Sequence, residues 1–270
     1  MDNKKILYVT QEMVPYLPSS ELSDLSRKLP QAIQEQGREI RIFMPRYGCI
    51  NERRNQLHEV IRLSGMNIII DDSDHQLIIK VASLPAARMQ VYFIDNDDYF
   101  RRKFTVTDAD GAEYPDNGDR AVFFARGVLE TVKKLRWTPD IIHCHGWFTS
   151  LLPAYIKKIY SDDPFFANSK VVYSVYDKGF QNPLSDTLTK HLSADGIKDN
   201  EISLLKSSAD YVNLCKFAVD FSDGVVQGCK DVNAEVIEYA RESGKMVLDY
   251  ADEETYVSAY NDFYNRILGL

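Results

Sequence analysis

Two histidines spaced by two in "DIIHCHGW" are the residues of this chain whose types and spacing most directly suggest chemistry. On a strand His143 and His145 share a face and Cys144 points the other way, and two imidazoles are half of a zinc site. No third ligand stands at a usable spacing, so neither a metal nor a cofactor is expected. The stretch "LPSSEL" places Pro18, Ser19, Ser20 and Glu21 between an apolar strand and an amphipathic helix. A glycine-rich turn in that place presents backbone N–H groups to a phosphate, yet this turn has neither glycine nor lysine and carries a carboxylate. Gly146 and Trp147 follow the second histidine, and Tyr176 and Asp177 end a later strand. His143, His145, Trp147 and Asp177 are the side chains that a ligand-facing reading selects. Trp147 either packs at its strand end or stacks on a sugar, and packing is the commoner fate of such a ring. No Ser–His–Asp or Cys–His set can be placed. The four cysteines (Cys49, Cys144, Cys215, Cys229) form no CxxC, which suits reduced thiols.

Holding these groups requires a frame, and the hydrophobic pattern supplies one. "KKILYVT", "EIRIFMP", "NIIID", "LIIKVASL", "MQVYFID", "DIIHCH" and "KVVYSVY" read as strands bounded by turn residues. Leu22, Leu25, Leu29 and Ile33 recur at helical spacing, as do Val122, Ala125, Val128, Leu129 and Val132. "TSLLPAYIKKIY" also reads as helical. The hairpin region around 64–95 interrupts a strict βα alternation, and "FRRKFTVTDADGAEYPDNGD" reads as a surface loop. The expectation is one α/β domain over residues 1–270, with a mainly parallel sheet and helices on both faces. The 44% apolar content suffices for a large core, and a net charge of −8 argues against nucleic acid as a partner. Arg53-Arg54 and Arg101-Arg102-Lys103 are short basic patches of solvated surface. No apolar run is long enough to cross a bilayer. "MDNKK" leads into a strand rather than a leader sequence, so the cytoplasm is the expected location.

In this order the segments resemble the bacterial glycogen synthase and plant starch synthase family. "QEMVPYLPSSELSDLSRKLPQAIQEQGREIRIFMPRYG" is similar to its S-E-x-x-P-x-x-K-x-G-G-L-A-D-V…A-L-P-x-A-L…G-H-x-V-x-V-x-x-P-x-Y. "YPDNGDRAVFFARGVLE" matches Y-x-D-N-x-x-R-F, and "PDIIHCHGWFTSLLPAYIK" matches P-D-V-x-H-x-H-D-W-x-x-x-L-x-P-x-Y-L. "EISLLKSSADYVNLCKFAVDFSDGVV" is similar to I-x-x-L-K-x-G-I…A-D-x-x-x-T-V-S, so the likeness runs over about 4–230. It implies the Rossmann-like N-terminal half of a GT-B fold, in a family that transfers glucose from ADP-glucose to an α-1,4-glucan.

The departures fall on the positions that the resemblance makes nucleotide-sugar contacts. The family's K-x-G-G becomes Pro18-Ser19-Ser20-Glu21, with Ser19 or Ser20 as helix cap and Glu21 and Asp24 in the first turn. A carboxylate within about 5 Å of a diphosphate costs on the order of 1–3 kcal/mol. The aspartate of H-x-H-D-W is Gly146, and the histidine of T-V-H-N is Tyr176, which either replaces its hydrogen bond or fills its space. The family's second domain, which supplies most nucleotide contacts, has no counterpart in the matched segments. The expectation is a protein that lacks transferase activity on its own. It would act by binding a glucan, a nucleotide-sugar or a protein partner at the face a second domain covers. The alternatives are a glucosyltransferase completed by a second chain, and an unrelated enzyme using Tyr176, Asp177 or the histidines. In "DEETYVSAYNDFYNRIL", Tyr256, Tyr260, Phe263 and Ile267 form a stripe behind an Asp252 cap. Residues 252–268 thus read as a helix packing back on the domain, either a crossing helix of the two-domain kind or an ordinary final helix.

Overall fold

The computed structural model describes residues 3–84, 87–177 and 179–270. Met1 and Asp2, which open the stretch read for a leader, lie outside them. The apolar runs become strands: β1 (Lys5–Thr10), β2 (Glu39–Pro45), β4 (Met66–Ile70), β5 (Ser73–Leu84), β6 (Met89–Asp95), β7 (Ile141–His145) and β8 (Lys170–Val175). Three short strands join them: β3 (His58–Glu59), β9 (Gly224–Gln227) and β10 (Met246–Leu248). The sheet order is β10-β9-β8-β7-β1-β2-β6-β5-β3, with β4 paired to β5. Every pairing from β10 to β6 is parallel, and the sheet turns antiparallel only at β5. Parallel strands buried on both faces need unbroken apolar runs, and β7 and β8 have them, each buried from its second residue onward.

The helices are α1 (Glu21–Glu35), α2 (Asp97–Phe100), α3 (Asn117–Leu135), α4 (Leu152–Ala154), α5 (Thr187–Ala194), α6 (Ser203–Ser207), α7 (Tyr211–Asp220), α8 (Ala234–Glu242) and α9 (Tyr256–Leu268). Alternation along β8 shows that both faces are covered. The Tyr173 hydroxyl meets Cys215 Sγ of α7 at 3.4 Å, while the next residue, Ser174, meets His143 on the face that carries α9. The segment after β7 is helical but not one helix. It is a 3-10 turn at Trp147–Thr149, then α4, then a π-helical turn at Tyr155–Ile159. Pro153 contributes no N–H to an α-helical ladder there.

α9 departs from its sequence reading at two residues. Thr255, not Asp252, is the capping position. The Asp252 carboxylate instead accepts the N–H groups of Glu254 at 3.2 Å and Thr255 at 3.0 Å, one turn earlier. The buried stripe is Tyr260, Phe263, Tyr264 and Ile267, with Tyr256 only half-buried at the rim. The helix lies close to β9 because Gly224 has no side chain: a Cβ there would come within 2.6 Å of Ile267 and 2.8 Å of Phe263.

Candidate functional site

The C-terminal ends of β1, β7 and β8 converge beside the start of α1 and bring Gln11, Gly146 and Tyr176 together. The turn into α1 is closed by its own hydroxyls. Ser20 caps the helix, its Oγ accepting the Ser23 N–H at 3.1 Å, and Ser23 Oγ accepts the Ser20 N–H at 2.8 Å. Ser23 Oγ also donates to the Pro18 carbonyl at 2.9 Å, and Ser19 donates to Asp24 at 2.7 Å. Asp24 and the exposed Glu21 sit in the first turn, where negative charge satisfies the positive end of the helix dipole.

Gly146 has φ +84° and ψ 169°, a backbone conformation essentially reserved for glycine. The space beside it is filled. A Cβ would lie 2.4 Å from Gln11 Oε1 and 2.8 Å from Leu22 Cδ1. Gln11 Oε1 is itself held by the backbone N–H of Phe148 at 3.1 Å. The family pattern has serine and aspartate where this chain has Gln11 and Gly146. The Gln11 side chain occupies the space that any side chain at position 146 would need.

The two histidines face inward from β7 and are fully buried, as is Trp147, which packs its ring against Phe148 and Phe180. His143 bonds through Nδ1 to the Tyr264 hydroxyl and through Nε2 to Ser174 Oγ, both at 2.7 Å. Tyr264 meets the Tyr8 hydroxyl at 3.0 Å. His145 Nδ1 bonds the Tyr176 hydroxyl at 2.8 Å, and the two imidazole centroids are 4.0 Å apart. Burial pushes both histidines down, His145 to about 3, and the neighbouring His145 adds to the effect on His143. Both imidazoles are therefore neutral at physiological pH. His143 ties α9 to the sheet through Tyr264, His145 ties β7 to the end of β8 through Tyr176, and both lie buried. Tyr176 is equally buried: its ring lies over Gly228 and against Leu22 and Cys229, and its carbonyl accepts the Tyr211 hydroxyl.

Of the residues selected for a ligand-facing role, Asp177 alone is exposed. Its carboxylate, that of Glu21 and the Cys229 thiol lie within 4.8 Å of one another. The sulfur accepts the Asp177 N–H at 3.2 Å, and burial pushes the thiol up to about 12, so it keeps its proton.

Beside this group runs a cleft of about 500 Å³ between the start of α1, the loop after β9 and the approach to α9. Its walls carry four carboxylates (Glu21, Asp24, Asp252, Glu253) and one lysine, Lys28, paired with Glu253 at 2.8 Å. Tyr250, Tyr256 and Tyr260 supply rings, and Leu25 an apolar patch. Gln11 and Tyr250 are given no role by the sequence, where Leu22 figures only in a helical stripe and Cys229 only as a reduced thiol. For Gln11 the one available signal is its place at a strand end opposite a glycine.

Residues 5–248 match the family model described as the starch synthase catalytic domain. The glycogen synthase of Chlorobium limicola is 39% identical over 222 residues, covering 78% of this chain and 45% of the relative. That of Chlorobium phaeovibrioides is 39% identical over 223 residues, covering 82% and 45%. The chain thus spans about half the length of the curated relatives it matches. Among solved structures, the catalytic domain of starch synthase IV from Arabidopsis thaliana, bound to ADP and acarbose, superposes with a TM-score of 0.65. It shares 21% identity and covers 83% of this chain and 45% of its own, a likeness of fold. With the matched model running from β1 to β10, the chain belongs to the starch synthase catalytic domain family.

Proposed function

We propose that this chain binds glucan without transferring glucose. The observation that carries the reading is the cleft beside α1, where four carboxylates face one lysine that is already paired. Such a surface repels a diphosphate, whereas sugar hydroxyls donate to carboxylates and a sugar ring lies well on a tyrosine face. Pro18 and Gly146 stand where the family pattern places lysine and aspartate, and Tyr176 where it places histidine. The capped turn, Gln11 and the buried Tyr176 ring fill the neighbouring space. A second reading, transfer by this chain completed with another, is favoured by the match of residues 5–248 to the family's catalytic-domain model.

Calorimetric titration with maltoheptaose and with ADP at low ionic strength, alongside an elongation assay from ADP-glucose, separates the two. Maltoheptaose should bind, and should bind severalfold more weakly after Tyr250→Ala or Tyr256→Ala. ADP should give no measurable heat, and glycogen should not lengthen. Tight ADP binding, or sustained elongation by the pure chain, overturns the proposal.

A further inference from the structure

At the opposite end of the sheet, where β2 and β6 begin, a cavity of about 390 Å³ opens among Glu39, Arg41, Ser83, Leu84, Arg88 and Tyr92. The Arg41 guanidinium lies 5.0 Å from the Trp137 ring centroid and 5.8 Å from that of Tyr92. It donates one N–H to the Tyr92 hydroxyl at 3.3 Å. Two aromatic faces and one hydrogen bond fix its plane, and among the described residues most of its five N–H donors have no partner. Glu39 precedes it by two residues on β2 and shares its face. The Glu39 carboxylate is nevertheless engaged elsewhere, accepting the Trp137 indole N–H at 2.5 Å. Among the described residues, neither Arg41 nor Arg88 has a carboxylate within ion-pair distance. A half-buried arginine is thus held in a set orientation at a cavity wall, with Glu39, the acid that shares the wall, bonded to the Trp137 indole.

We propose that this cavity binds a phosphate group. Arg41 grips two phosphate oxygens through paired N–H donors, and the exposed Arg88 adds a second positive charge from across the opening. Glu39 keeps its full negative charge at the cavity wall, since the indole that bonds it is neutral, and this keeps the affinity modest. The cavity shares no residue with the tyrosine-lined cleft, so its occupancy and glucan binding can fail separately.

The test is a titration of the native chain, Arg41→Gln and Arg88→Gln with inorganic phosphate and with phenyl phosphate at low salt, followed by NMR. Expected is saturable one-site binding that moves the Trp137 indole signal. Arg41→Gln should weaken it about tenfold or more, and Arg88→Gln about threefold. Tighter binding of phenyl phosphate assigns the site to a phosphate ester, and equal binding assigns it to free phosphate. No saturable shift in the native chain, or undiminished affinity in the variants, overturns the proposal. Arg88 is exposed, so its variant answers the question even where Arg41→Gln loosens the Trp137 stack.

Discussion

His143 and His145 have the spacing of a metal pair in the sequence, and the structure makes them the polar centre of a buried network. Their burial has a consequence for pH. Both folded-state pKa values lie below the unfolded value of about 6.5. The unfolded chain therefore takes up protons that the folded chain refuses, and the stability contributed by the neutral imidazoles is lost as pH falls from about 6.5 toward 3. His145 should cost roughly 2 kcal/mol between pH 7 and pH 5, and His143 acts in the same direction. Asp95, raised by burial, works in the opposite direction. Urea unfolding at pH 7, 6 and 5 should show a steep loss, and His145→Gln should remove about one proton's worth of that slope. An unchanged slope in the variant would show that His145 is not held neutral. What was legible at this scale was the shared face of the pair. Their depth was not, because it depends on Tyr264 and Tyr176, 121 and 31 residues away along the chain. The same holds at Gly146, where the loss of a side chain is visible in the sequence but the Gln11 amide that fills its place comes from another strand.

Helix α1 and its cap were readable because the signals are local. Ser20 precedes a helical stripe, and the acids lie in the first turn, as capping physics requires. α9 was readable as an amphipathic helix, yet its decisive residue lies one step beyond the stripe chosen. Tyr264 is four residues after Tyr260 and reaches the sheet, where its hydroxyl joins Tyr8 to His143. Short β9 and β10 are not legible in the sequence because elements of three or four residues carry no period, and the winding of the Trp147–Ile159 region changes twice within one helical pattern. The network predicts how α9 is fixed. Tyr264→Phe keeps the ring and removes the hydroxyl, leaving two buried polar groups without that partner. It should cost about 2 kcal/mol, well above an exposed Tyr→Phe change. Amide hydrogen exchange should speed up first along α9. A loss below about 0.5 kcal/mol would mean that the apolar stripe alone holds the helix.

At the scale of the molecule, the question is whether these elements form one cooperative unit. The sheet runs without a break from β10 to β3, and β1 lies between the parallel strands that precede and follow it in the order. One buried cluster extends from Ile6 through Phe93 and Phe148 to Ile267, so the final helix shares its core with the first strand. Among the contacts that tie the two ends of the chain are two buried polar ones, Tyr8 to Tyr264 and Tyr264 to His143. Opening α9 would expose them to water together with the face of β7 and β8, so partial unfolding there carries a penalty that favours all-or-none behaviour. We therefore expect residues 1–270 to unfold as a single unit. The two tryptophans permit the test: Trp137 lies beside β2, stacked by Arg41, and Trp147 beyond β7 against Phe180. Single-tryptophan variants, Trp137→Phe and Trp147→Phe, followed by fluorescence and by far-UV circular dichroism in urea, should give coincident midpoints within each variant. Separated transitions, with the Trp137 side persisting after the Trp147 side has melted, would divide the sheet between β1 and β7 and refute the one-unit reading.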